Sequence, residues 1–123
     1  MIRIEKTTSR FTLTMTVERM GKDFNVSLYG GDGPHIGAVA LAVPHPGLRD
    51  QEKVDASVSM LTVCGHKEDE LARRISYALA TAFNCTVSVA CGIHLDNATP
   101  QEIKAVLEVS DQILGQALKD LSN

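Results

Sequence analysis

Three short segments combine glycine with residues that can take part in chemistry. They are residues 30–35 (GGDGPH), 64–67 (CGHK) and 91–94 (CGIH). Glycine lets a ligand approach the backbone closely, and successive backbone amides can bind an anion. The amides of the second segment would open a helix, where anions are also favoured. These patterns indicate a site for a phosphate-bearing ligand, although a tight hairpin explains the glycines of the first segment equally well.

Metal binding and catalysis are the other chemistries that these residues suggest. Three histidines could gather around a metal ion with either of two aspartates: His35, His66 and His94, with Asp32 or Asp96. Their spacing matches no recognised zinc pattern, so hydrogen bonding to backbone or ligand is the preferred interpretation. Cys64 precedes a predicted helix, which would activate an exposed thiol, but it also follows an apolar run, so a buried cysteine is the preferred interpretation. No nucleophile elbow or acid–base pair is present, so we expect no catalytic residue and no enzyme activity.

The elements that must position these residues are strands and helices. Alternating and short apolar runs predict five strands at residues 10–19, 24–28, 36–43, 58–63 and 85–91. One face of the last strand is made of small residues, which suits helix packing or a ligand. Residues 48–57 are polar and are predicted to form a loop, either a binding loop or a solvated one.

Two helices complete the prediction. The first begins in the 64–67 segment and carries acidic residues 68–70 in its first turn, where they complement the helix dipole. The second opens with a capping box from Thr99 to Glu102, with Pro100 at its first position. Both helices carry an apolar stripe at helical spacing.

The predicted order is β-β-β-β-α-β-α, an α+β fold with a mainly antiparallel sheet. We expect the first four strands to form an antiparallel meander, and the β-α-β unit to add a parallel strand by a right-handed crossover. The three glycine-containing segments then converge at one edge of the sheet. Ligands of α/β units favour the carboxyl ends of parallel strands, so this edge is the candidate site. His45 is predicted to lie at the opposite edge.

Composition indicates one globular domain over residues 1–123. The hydrophobic fraction is 44%, the charged fraction is 22% and the net charge is −3. An acidic chain with three Phe, two Tyr and no Trp argues against nucleic-acid binding. No apolar stretch is long enough for a signal peptide or a membrane span, so we expect a cytoplasmic protein. The three cysteines fit that compartment, and Cys85 and Cys91 are too far apart along one strand to bridge.

The sequence of residues 30–42, GGDGPHIGAVALA, resembles the prenylated flavin chaperones of the LpdD type. That family accompanies UbiD-type decarboxylases, and its fold is similar to the small dimeric proteasome assembly chaperones. The resemblance implies that the chain binds reduced prenylated FMN as cargo, serves a partner decarboxylase and performs no turnover. It assigns the ligand to Gly30, Gly31, Asp32, Pro34, His35 and Gly37. The convergent edge adds His66, Lys67 and His94, while Tyr29 and Phe24 are the candidates for ring stacking.

Two other functions remain open at this stage. One is a protein-assembly module without a small ligand, because two amphipathic helices accompany no complete catalytic set. The other is a small hydrolase or decarboxylase that uses Cys64 or the histidines. A homodimer is expected for the chaperone and for the protein-assembly module, because a second copy would cover an exposed sheet edge.

Overall fold

The computed structural model describes residues 1–63 and 68–123, and in these residues six strands form one sheet with two helices on one face. The strands are β1 (Ile2–Thr7), β2 (Thr12–Met20), β3 (Asp23–Gly31), β4 (Ala38–Pro46), β5 (Val54–Thr62) and β6 (Val87–His94). The helices are α1 (Glu68–Phe83) and α2 (Pro100–Leu121). The predicted α+β class with a mainly antiparallel sheet is confirmed.

Strand β6 occupies the centre of the sheet, and this position corrects the predicted topology. The strand order is β1-β2-β3-β6-β4-β5. β6 runs parallel to β3 and antiparallel to β4, so β3 and β4 are not neighbours and the four-strand meander is wrong. β5 and β6 do run in the same direction, with β4 between them. Central placement buries Val87, Val89 and Cys91 beneath the helices and gives β6 a hydrogen-bonded partner on both sides.

One additional strand and one shorter loop also differ from the prediction. β1 was not predicted, and it pairs antiparallel with β2 along the outer edge of the sheet. The loop between β4 and β5 spans residues 47–53 and is shorter than predicted, because Pro44 and Pro46 stay in register with β5. β6 pairs only with residues 38–42 of β4, so the prolines lie where the strand has a single neighbour and are tolerated there.

The hydrophobic core lies between one face of the sheet and the two helices. Alternating residues of the strands, such as Met15, Leu28 and Val89, are fully buried against helix residues such as Ile75 and Ile113. α1 packs on β4, β5 and β6, and α2 packs on β1, β2 and α1. In the part of the chain that is described, neither helix combines the length and apolarity needed to cross a membrane.

The opposite face of the sheet, here called the open face, has no helix of the described chain packed on it. It is polar along β1, β2 and β3, where Arg3, Thr16 and Ser27 are neighbours across the strands. Along β4 and β5 it becomes apolar, since Leu41 is 44% exposed and Leu61 is 76% exposed. The open face is therefore divided into a polar half and an apolar half.

Candidate functional site

The carboxyl ends of β3 and β6 lie side by side at one end of the sheet, where the strands stop. This end is here called the candidate edge. Gly31 and His94 are register partners there, and β4 begins beside them at Ala38. The predicted convergence of segments 30–35 and 91–94 is confirmed. Cys64, Gly65, His66 and Lys67 lie outside the described residues, so their place at this edge stays a prediction. His45 lies at the opposite edge, where its Nε2 is 3.0 Å from Ser57 Oγ.

The segment of residues 32–37 crosses the end of β6 in direct contact with it. The Asp32 and Gly33 amides both donate to the His94 carbonyl, and the Gly37 amide donates to the Cys91 carbonyl at 2.9 Å. Close packing requires glycine, because a Cβ on Gly31, whose φ is +79°, would collide with the His94 carbonyl. The amides of Asp32 and Gly33 are therefore paired within the chain, and a phosphate would have to be held by other groups.

Asp32 belongs to a charged cluster that we call the Arg10 clasp, formed by Arg10, Asp32, Asp96 and Glu102. Arg10 donates Nη1 to Asp32 Oδ1 at 3.0 Å and Nη2 to Asp32 Oδ2 at 2.8 Å. Its Nε donates to Glu102 Oε2 at 2.7 Å, and the Asp96 amide donates to Asp32 Oδ2 at 2.9 Å. The clasp ties segment 32–37 to the first turn of α2.

The clasp has clear electrostatic consequences. The hydrogen bonds from Arg10, followed by the one from the Asp96 amide, lower the pKa of Asp32 to about 2. The hydrogen bonds of Arg10 to Asp32 and then to Glu102 raise the pKa of Arg10. Asp32 is thus a charged carboxylate already engaged by an arginine and a backbone amide. Sequence reasoning missed Arg10, because its carboxylate partners lie 22 and 92 residues away along the chain.

His35 connects segment 32–37 with the first turn of α1. Its Nδ1 lies 2.9 Å from the Gly33 carbonyl, and its Nε2 lies 3.3 Å from Glu68 Oε1. A carbonyl only accepts, so Nδ1 carries a proton in this arrangement. Gly37 lies beneath this pair, and a Cβ there would press on both side chains. The contact brings the start of α1 to the candidate edge.

The other predicted residues take distinct places. His94 Nε2 lies 3.0 Å from Asp96 Oδ1, and Pro34 is exposed on segment 32–37. Gly30 packs against β2, where a Cβ would meet the Thr12 carbonyl. Within residues 1–63 and 68–123, no group of three or more His, Cys, Asp or Glu residues is arranged to hold a metal ion.

Neither of the two aromatic residues considered for ring stacking presents its ring to a ligand at the candidate edge. Phe24 is 3% exposed and packs edge-on against Phe83, with ring centroids 5.5 Å apart. Tyr29 lies on the open face, where its hydroxyl accepts from Arg3 Nη1 at 3.3 Å.

Cys91 is fully buried, and burial raises its pKa to about 12, so the thiol stays protonated at neutral pH.

A cavity of about 710 Å³ adjoins the candidate edge between α1, the end of β6 and α2. This volume falls within the range of roughly 300–1,000 Å³ found for small-molecule sites. Its walls are mainly apolar and include Leu71, Ile93, Leu95, Ile103, Val106 and Leu107. Glu68, Asp69, Glu70 and His94 also line it, so polar groups border an apolar interior. Sequence reasoning did not predict this cavity, because its walls come from three elements.

The architecture defines a class of small α+β proteins with one sheet and two helices on the same face. A chain from the "Crystal Structure of a Novel Chaperone Complex for Yeast 20S Proteasome Assembly" has this fold, with a TM-score of 0.57 and 19% sequence identity. The similarity covers 98% of this chain and 94% of the yeast chain. No curated protein matches in sequence. The model of the prenylated flavin chaperone LpdD-like domain matches residues 7–122, and the chain belongs to this family.

Proposed function

We propose that this protein is a non-catalytic chaperone that binds reduced prenylated FMN and aids the maturation of a UbiD-type decarboxylase. The observation that carries the proposal is the family match over residues 7–122. The cavity beside the candidate edge supports it, because its volume and apolar walls suit the hydrocarbon part of a flat organic ligand. The likeness to the yeast chain supports only the fold.

The proposed ligand site combines the candidate edge with the cavity. It includes the residues Gly30, Gly31, Asp32, Pro34, His35, Gly37, His66, Lys67 and His94. The glycines and Asp32 hold segment 32–37 in place, while His35 and His94 offer ring nitrogens to polar atoms of the flavin. The segment 64–67 is assigned the phosphate, since it directly precedes α1 and contains Lys67.

The proposed role is physical protection and delivery, without turnover. The Cys91 thiol is held protonated by burial, which fits a site that provides no cysteine nucleophile there. The paired carboxylate of Asp32 is likewise engaged by Arg10. Such a site would shield a reduced flavin from solvent and release it unchanged to the decarboxylase in the cytoplasm.

The proposal includes a homodimer that forms through the apolar half of the open face. Leu41, Val43 and Leu61 are exposed there on adjacent paired strands. Their neighbours Ser57 and Ser59 are small, so a second sheet could pack closely against them. A twofold axis through this patch would bring the same residues of two copies together.

Anaerobic titration with reduced prenylated FMN and with plain FMN, followed by native mass spectrometry, tests the function. We expect uptake of the prenylated form, weakened by His35→Ala and His94→Ala. His45→Ala is the matched control, because His45 lies at the opposite edge and should leave uptake unchanged. Asp32→Ala is a poor choice, because it breaks the Arg10 clasp.

Transfer to the partner completes the test. The loaded protein should activate a flavin-free UbiD-type decarboxylase faster than the same amount of free reduced cofactor exposed to air. Absence of uptake of either flavin by the wild-type protein would overturn the proposal and favour a protein-assembly module without a small ligand.

A further inference from the structure

We propose that the cavity between α1, β6 and α2 binds the isoprenoid carbons of the cargo and thereby selects prenylated over plain flavin. This inference rests on the proposed function and assigns the hydrocarbon part of the ligand to a specific place. The isoprenoid carbons are the chemical feature that distinguishes the two flavins. A site that contacts those carbons can therefore discriminate between the two flavins.

The walls of the cavity have the chemistry that such carbons require. Leu71 and Leu95 are 5% and 8% exposed, and Val106 is 9% exposed, so the core itself forms one side. Leu107 is 36% exposed and Ile103 is half-buried, which leaves apolar surface for a ligand to cover. Removing hydrocarbon from water against such surface is favourable, and it provides no gain for a flavin that lacks the additional carbons.

The polar groups around the cavity set the orientation of the ligand. Glu68, Asp69 and Glu70 lie together at the start of α1, and Glu68 contacts His35 at the candidate edge. A phosphate dianion would be repelled by these carboxylates if it entered the cavity. The hydrocarbon end therefore enters first, and the polar ring edge and phosphate face His35 and His94.

Ala98 offers a direct way to block this cavity. It lines the cavity and is exposed, so a larger side chain can be placed there without disturbing the core. Ala82 is a matched position, because it is also exposed but lies near the end of α1 far from the cavity lining. Leu107→Ser gives a second variant, which keeps the cavity open and makes its wall polar, and Leu48→Ser on the 47–53 loop is its control.

The experiment measures dissociation constants of the four variants for reduced prenylated FMN and plain FMN. Ala98→Trp and Leu107→Ser should lower the preference for the prenylated form by about tenfold or more, mainly by weakening its binding. Ala82→Trp and Leu48→Ser should leave the preference unchanged. Circular dichroism and thermal unfolding confirm that each variant is folded.

The outcomes separate this inference from the proposed function. If the wild-type protein prefers prenylated FMN and both cavity variants keep that preference, the inference is overturned and the function stands. An equal loss of affinity for both flavins would also overturn it, because the cavity would then bind the common ring. If the wild-type protein takes up neither flavin, both proposals fail.

Discussion

Asp32 accepts hydrogen bonds from two parts of the chain that lie far apart in sequence. Arg10 binds it through two nitrogens, and the Asp96 amide donates to the same carboxylate. Asp32 was predicted as a ligand contact, and that role stays a prediction. Its hydrogen bonds show that it also fastens the segment that crosses β6, so its substitution will affect stability as well as any binding.

Stability at low pH should reveal the charge on Asp32. Its pKa is about 2 in the folded protein and 3.8 ordinarily, so its charge stabilises the fold above pH 3.8, and this contribution is lost as the pH falls towards about 2. The difference in unfolding free energy between wild type and Asp32→Asn should therefore be constant above about pH 5. This difference should become smaller as the pH falls from 3.8 to about 2. Urea denaturation at several pH values in this range measures the unfolding free energy of both proteins.

Asp50→Asn provides the control for this titration. Asp50 lies on the 47–53 loop, and in the part of the chain that the structure describes its carboxylate accepts from the Glu52 amide without an arginine partner. Its substitution should cost less stability at neutral pH than Asp32→Asn, because no arginine contact is lost. Equal losses for the two substitutions would show that the Arg10 clasp does not stabilise the fold.

At the scale of elements, the crossing of segment 32–37 over β6 explains why Gly92 is glycine. A Cβ at this position would overlap the backbone carbonyl of His35. Gly92 is held in the β3–β6 ladder, and segment 32–37 is held to β6 by the bond from the Gly37 amide to the Cys91 carbonyl, so neither backbone can move away freely. Gly92→Ala should therefore destabilise the protein by about 1–3 kcal/mol through overpacking. Chemical denaturation measures the change, and a neutral substitution would mean that the two segments are not packed in this way.

Gly115→Ala is the matched comparison. Gly115 lies in α2, and a Cβ there would meet nothing within 4 Å. Alanine has the better helix propensity, so this substitution should stabilise the protein by roughly 0.5–1 kcal/mol. The same chemical change should thus have opposite signs at the two positions.

Local sequence patterns predicted most strands and both helices, but they could not predict contacts between residues that are distant in sequence. Alternation located most of β2, β3 and β6, and the capping box of α2 is confirmed, with the Glu102 amide donating to Thr99 Oγ1 at 3.1 Å. β1 was missed because its only apolar residues are Ile2 and Ile4. The first residues of β5 were assigned to a loop because they include polar Asp55.

The candidate site was likewise predictable only in part. Strand direction alone predicted that segments 30–35 and 91–94 meet, because strands that end at one edge bring their following residues together. The insertion of β6 between β3 and β4 could not be predicted, since no local pattern specifies which strands pair. The cavity and Arg10 depend on that arrangement and on the docking of α2, so they were missed as well.

At the scale of the whole molecule, the open face is a broad surface on which no helix of the described chain packs. Its apolar half consists of side chains that would lose contact with water if two copies associated. The polar half, with Arg3 and Glu5 paired at 3.3 Å, can remain solvated in such a dimer. The proposed ligand site lies beyond this face, at the edge of the sheet and between the helices.

Leu41→Lys should convert the proposed dimer to a monomer. Leu41 is 44% exposed in the middle of β4, and a lysine there would place two like charges in the proposed contact. Sedimentation velocity measures the change in mass. Leu48→Lys is the control, because Leu48 is 94% exposed on the 47–53 loop and should leave the mass unchanged. A monomeric wild-type protein would contradict the proposed dimer directly.

The central position of β6 also constrains the order in which the polypeptide can fold during synthesis. The β1–β2–β3 ribbon and the β4–β5 hairpin are both synthesised before β6 leaves the ribosome. The hydrogen bond between Asn25 and Ser88, for example, joins residues that are 63 positions apart and can form only after β6 has been made. Until then the adjoining edges of β3 and β4 remain unpaired. Such edges recruit other strands. We therefore expect β6 closure to be a late kinetic step, and nascent chains truncated before Val87 to aggregate.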